Sequence, residues 1–274
     1  MADGRGHETY IELRGRLAEV HDIAKAIFLL AWDQRTMMPP NGAPVRAEKL
    51  ATLSKLAHEL FTSDDVARLL DDVSAYEEGL PYESDEASLI RVARRDFDRE
   101  RRVPADLRSD LTRASSSGYE AWIDARARSD YASFLPHLQR NVELRRRYAE
   151  CFDVDEPYDA LLEDFEPGMK TAEVREVFDV LKPELIGLVR AVADGGADVD
   201  NSFLKGSFSA DRQRELSLAV LERLGFERDS WRLDTTAHPF ASSMSTGDIR
   251  LTFRGQNARF ENYQDPAYGE GIMR

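Results

Sequence analysis

Apolar residues recur every three to four positions from the start of the chain to about residue 225, the period of helices packed through one face. Ile11, Leu13, Leu17, Val20, Ile23, Ala24, Ile27 and Leu30 form the first stripe. Met38-Pro39-Pro40-Asn41-Gly42 interrupts it, because two prolines and a glycine cannot continue the hydrogen-bond ladder. Pro44 suits the first turn of a second helix that carries Leu50, Leu53, Leu56, Ala57 and Leu60. Ser63 ahead of Asp64 and Asp65 reads as a cap with acids at the positive end of the helix dipole.

Further starts fall near Ser84, Pro104 and Asp130. Leu107, Leu111, Ala114 and Trp122 share one side of the next helix, with Ser115-Ser116-Ser117-Gly118 as a weak point. The 130–150 segment is expected to bury Phe134, Leu138, Val142 and Leu144 and to expose Arg145, Arg146 and Arg147. After an irregular stretch from Cys151 to Met169, Thr171 is expected to cap a helix that turns Val174, Val177, Phe178, Leu181, Leu185 and Leu188 inward. Residues 194–198 read as an acidic loop, and Ser209 and Gly225 bracket a last helix.

Beyond Gly225 the period falls to two. Trp231-Arg232-Leu233-Asp234 and Ile249 to Arg254 alternate in the manner of strands, joined through a small-residue, hairpin-like connection at 241–247. The expected architecture is mainly α: a helical domain over 1–230, a short β element over 231–254 and a divergent tail over 255–274.

Composition narrows what such a chain can do. Acidic residues outnumber basic ones, 51 to 37, for a net charge of -14, which repels phosphate backbones and argues against nucleic acid. Only six of the 37 basic residues are lysines. A lysine-poor, acidic surface fits work at high salt, where self-repulsion is screened, and a GC-rich genome would produce the same arginine excess. The single cysteine, Cys151, excludes an internal disulfide and fits a reducing compartment. The longest apolar run, Ala26 to Trp32, is too short to span a membrane, and the N-terminus lacks an apolar signal core, so a cytoplasmic location is expected.

Candidate chemistry gathers in the β element. His238-Pro239-Phe240 precedes Asp248-Ile249-Arg250-Leu251-Thr252. Strand alternation places Asp248, Arg250 and Thr252 on one face, where the acid can orient the guanidinium. An arginine fork holds a carboxylate bidentately and a histidine donates near neutral pH, a sensible device for a peptide's free carboxylate. Read alone, a strand of this kind is more often a surface ion-pair ladder.

The chain resembles the carboxypeptidase Taq family of thermostable zinc carboxypeptidases. The resemblance runs through Leu30-Ala31-Trp32-Asp33-Gln34, Met38-Pro39-Pro40, Arg46-Ala47-Glu48 and the stretch Tyr158 to Met169, and closes on the family's HPF and DxRxT motifs at 238–240 and 248–252. From Gly255 the pattern is lost. The resemblance implies zinc-dependent removal of C-terminal amino acids, a substrate site drawing on His238, Phe240, Asp248, Arg250 and Thr252, and a dimer-forming protein. It also implies HExxH, two histidines one helical turn apart with a catalytic glutamate. The five histidines here, His7, His21, His58, His137 and His238, supply no such pair. His7 and His58, each followed by glutamate, read as helical surface residues. The expectation is a partial metallocarboxypeptidase with no catalytic or metal residues of its own, inactive as this chain. The alternative is a non-catalytic helical binding or regulatory module, which pairs with itself or with a full-length paralogue.

Overall fold

The computed structural model describes residues 2–195, 200, 202–204, 207–254 and 258–259. The chain divides into two compact units, Met1–Leu161 with Ser242–Met244, and Leu162–Ala241 with Ser245–Arg274.

The first unit is helical. α1 (Ala2–Thr36) ends where the Met37 and Met38 amides both donate to the Asp33 carbonyl, each at 2.8 Å, and Pro39 begins an extended turn. A 3-10 turn at Pro40–Gly42 leads into α2 (Ala43–Phe61), with proline in its first turn. α3 (Asp64–Asp72) and α5 (Asp85–Glu100) start at Ser63 and Ser84, whose hydroxyls accept from the Val66 and Ala87 amides; α4 (Ser74–Glu78) lies between them. α6 (Ala105–Arg128) stops at Ser129, in the left-handed region at φ 53°, and the Asp130 carboxylate caps α7 (Tyr131–Ala149). α8 (Pro157–Leu162) closes the run.

Two apolar clusters hold this unit. One joins Tyr10 and Leu13 of α1 to Val66, Leu69 and Leu70 of α3 and Ile90, Ala93 and Phe97 of α5. The other joins Leu107 and Leu111 of α6 to Leu144, Tyr148 and Ala149 of α7 and Ala160 of α8. Each fully buried large side chain contributes about 1.5–3 kcal/mol.

Three expectations need correction here. Leu138 and Val142 are exposed, because α7 packs through the Leu144 and Tyr148 side and the adjacent stripe has nothing over it. Val142 instead helps to line a groove of about 800 Å³ with Phe152, Val154, Tyr158 and Leu161. The 115–118 stretch is no weak point: Ser116 and Gly118 are buried in continuous helix. A Cβ on Gly118 would lie 3.1 Å from Asn141 Nδ2, so the glycine allows α7 to approach. His58 is not a surface residue; it is buried, 3.1 Å from Glu100.

After α8 come α9 (Thr171–Asp194), β1 (Ser207–Phe208), α10 (Ala210–Arg223), β2 (Trp231–Thr235), β3 (Ala241–Ser245), β4 (Asp248–Phe253) and β5 (Ala258–Arg259), all of the second unit except Ser242–Met244 of β3, which count with the first. Ser209 caps α10, and Gly225 beyond its end takes φ 86°, as expected. α9 starts at Thr171 with Lys170 at its cap position, one residue earlier than anticipated. Its predicted inward face is also corrected: Val177, Phe178, Leu181, Leu185 and Leu188 are all exposed. Periodicity fixes which residues share a side of a helix, not whether anything covers that side.

β2, β4 and β3 form a three-stranded sheet in that order, and β1 pairs antiparallel with β5. The 241–247 connection is thus mostly a strand, with only Thr246 and Gly247 left as a turn. Residues 196–199 of the expected acidic loop, and the 255–274 tail apart from Ala258 and Arg259, lie outside the described residues. Among the described residues, no helix is long and apolar enough to cross a membrane.

Candidate functional site

β2 and β4 run parallel with Arg232 opposite Arg250 and Asp234 opposite Thr252. Paired residues point to the same face, so one side of the sheet carries Arg232, Asp234, Asp248, Arg250 and Thr252. The other side carries Trp231, Leu233, Ile249, Leu251 and Phe253.

On the polar side each arginine lies against an acid two residues away on its own strand. Arg250 Nε and Nη2 donate to the two Asp248 carboxylate oxygens at 2.7 and 2.9 Å. Arg232 does the same to Asp234, both at 2.7 Å. Two guanidiniums facing each other across neighbouring strands would repel, and the acids offset that repulsion. The Arg250 hydrogen bond holds the Asp248 carboxyl below its usual range; burial opposes it, and the charges of Arg250 and Arg232 add to the lowering. The Arg250 side chain is only 16% exposed and that of Asp234 only 8%.

Thr252 ties the two motifs together. Its hydroxyl accepts from the Phe240 amide and donates to the Phe240 carbonyl, each at 2.7 Å. The Thr252 amide donates to the same carbonyl at 3.0 Å. Four of the five predicted residues therefore form two hydrogen-bonded pairs along β4, Asp248 with Arg250 and Thr252 with Phe240. His238 sits two residues before Phe240 on the exposed loop between β2 and β3. Arg232 and Asp234 were not among the expected site residues, although their arginine-x-aspartate alternation on the preceding strand signalled them.

The other shared motifs are structural. Arg46 Nη2 donates to Asp33 at 2.6 Å and Nη1 donates to the Leu30 carbonyl, binding α2 to the end of α1. Gln34 donates to Ser116 and Glu120 of α6, and Glu48 accepts from Arg113. Glu163 accepts from the amide of Gly168, whose φ of 83° suits glycine.

A zinc site would need three or more histidine, cysteine, aspartate or glutamate side chains converging. No such group exists among the described residues. His58 Nδ1 donates to Glu100, since a carboxylate only accepts, and His7 lies 3.1 Å from the Tyr76 hydroxyl. The residues present do not fit the metal.

The sequence matches the family described as carboxypeptidase Taq (M32) metallopeptidase over residues 12–264, and the chain belongs to that family. The match runs past Arg254, where the pattern was expected to break off. Carboxypeptidase 1 of Bacillus subtilis is 34% identical over 239 residues, and Thermostable carboxypeptidase 1 of Thermus thermophilus is 36% identical over 240. Those alignments cover 87% and 82% of this chain but 47% and 46% of the relatives, so the chain spans about half of their length. The solved structure described as the BsuCP crystal structure superposes with a TM-score of 0.86 at 32% identity, over 93% of this chain and 51% of that one.

Proposed function

We propose that these residues form the substrate-carboxylate-binding half of a metallocarboxypeptidase acting on peptide C-termini. The observation that carries the reading is the unit made by Phe240, Thr252, Asp248 and Arg250. Asp248 fixes the orientation of the Arg250 guanidinium, and partial burial weakens its screening by water, so a peptide α-carboxylate gains more from it than from a surface arginine. Thr252 fixes the backbone at Phe240, whose ring is offered to the terminal side chain. His238 supplies a donor from the loop. A bound zinc would supply polarisation of the scissile carbonyl; no residue described here would hold it, and hydrolysis is not expected from residues 1–274 alone.

The test is titration of the purified chain with an N-acylated dipeptide bearing a free C-terminal carboxylate and with the same dipeptide as its C-terminal amide. The acid is expected to shift the NMR resonance of the Arg250 Nε–H, and the amide to leave it in place. Equal response to both would remove the carboxylate-recognition reading. Zinc-dependent release of C-terminal residues by this chain would overturn its expected inactivity. The alternative of a non-catalytic binding module rests on the absence of a metal-ligand group among the described residues, and predicts that no added polypeptide brings activity.

A further inference from the structure

α9 is the part of the molecule whose sequence and surroundings disagree most. At 100° per residue, Val177, Phe178, Leu181, Leu185, Leu188 and Val192 fall within an arc of about 100°. At 1.5 Å per residue the stripe runs about 22 Å along the roughly 36 Å of the 24-residue helix. Not one residue of α9 is buried; Val177 is 59% exposed, Leu188 61% and Val192 71%. Apolar surface of this extent on a soluble protein marks a face that something covers.

The opposite side of α9 narrows the choice of occupant. Arg175, Lys182 and Arg190 alternate there with Glu176, Asp179 and Asp194. A helix lying on an anionic membrane carries a cationic polar face, and this chain has a net charge of -14, so a lipid surface is a poor fit. A protein surface remains. The B. subtilis and T. thermophilus relatives align with this chain over less than half of their own length. In the solved structure described as the BsuCP crystal structure, the match covers 51% of that chain, so about half of it lies outside the matched region.

We propose that the apolar face of α9 is the docking surface for a polypeptide carrying the half of the carboxypeptidase fold that the matched region does not include. The face is then an internal interface of the complete fold, served equally by a continuous chain or by a separate one. This rests on the family assignment but not on the carboxylate reading of Arg250.

The experiment mixes the purified 274-residue chain with recombinant second halves of the B. subtilis and T. thermophilus carboxypeptidases, and follows mass by light scattering and amide exchange along α9. A one-to-one complex is expected, with α9 amides slowed at least tenfold. Leu185→Asp and Leu188→Asp, which touch no buried cluster, should abolish the complex while leaving the helical circular dichroism of the chain unchanged. If neither second half binds, or if the chain instead forms a homodimer that both substitutions break, the proposal is overturned. A complex that forms, protects α9 and yet cleaves no peptide with zinc present would sustain the docking surface and count against the metallocarboxypeptidase reading.

Discussion

Thr252 shows how much one hydroxyl can organise. It satisfies both the amide and the carbonyl of Phe240 from a position 9% exposed. Thr252→Val keeps the shape and removes the partner, leaving a half-buried amide unsatisfied at a cost of about 1 kcal/mol. Faster hydrogen exchange at the Phe240 amide in Thr252→Val, with near-normal exchange in Thr252→Ser, is the expected outcome. Glu100 is the second residue whose surroundings decide its behaviour. Burial works against its charge, but the His58 hydrogen bond and the charge and hydrogen bonds of Arg108 outweigh it, so its carboxyl titrates below the usual range. A depressed folded value means that the ionised group stabilises above the ordinary carboxylate range and that this stability is lost as pH falls through the folded value. Glu100→Gln should therefore lower Tm near pH 7 and flatten its fall below about pH 4.5. A parallel loss of Tm at all pH values would refute the assignment.

At the level of elements, helix contacts are specified by small residues and short polar links as much as by apolar stripes. Gly118 is one such point between α6 and α7, where the Asn141 amide donates to the Ala114 and His137 carbonyls. Gly118→Val would push Asn141 off both bonds, and overpacking of this kind costs about 1–3 kcal/mol. Thermal denaturation should show the loss, and an unchanged Tm would mean that α7 shifts freely. The sequence made these helices legible because serine and aspartate caps and proline stops sit at Ser63, Ser84, Asp130 and Ser209, where local chemistry acts within one turn. It misread 115–118 because serine and glycine lower helix propensity locally, whereas a tertiary contact set their role. β3 escaped for a related reason: Ala241 to Ser245 has no apolar alternation and becomes a strand by pairing with β4.

Across the whole molecule, the buried apolar clusters lie in the first unit, while α9 in the second has no buried residue. In the isolated chain, amides of α9 should exchange far faster than those of α1, α3 and α6, because local stability follows local burial. Uniform protection along the chain would contradict this distribution. Net charge acts at the same scale. With -14 to screen, moving from about 0.05 to 1 M salt contracts the Debye length severalfold and should raise Tm. A fall in Tm would show that the arginine–carboxylate pairs outweigh the repulsion.

The sequence alone determined the mainly helical class, most helix starts, the strand alternation that places Asp248, Arg250 and Thr252 on one face, and the family resemblance. Each of these depends on neighbours within a turn or a few residues, or on side-chain order along the chain. Tertiary structure alone decided that β2 and β4 run parallel, which sets Arg232 opposite Arg250 and adds a second arginine–aspartate pair to the site. It also decided that Thr252 closes on Phe240, that His58 is buried against Glu100, and that the apolar faces of α7 and α9 stay open. Periodicity tells which side chains travel together; what meets them depends on residues far away in the chain, and only the folded structure brings those into contact.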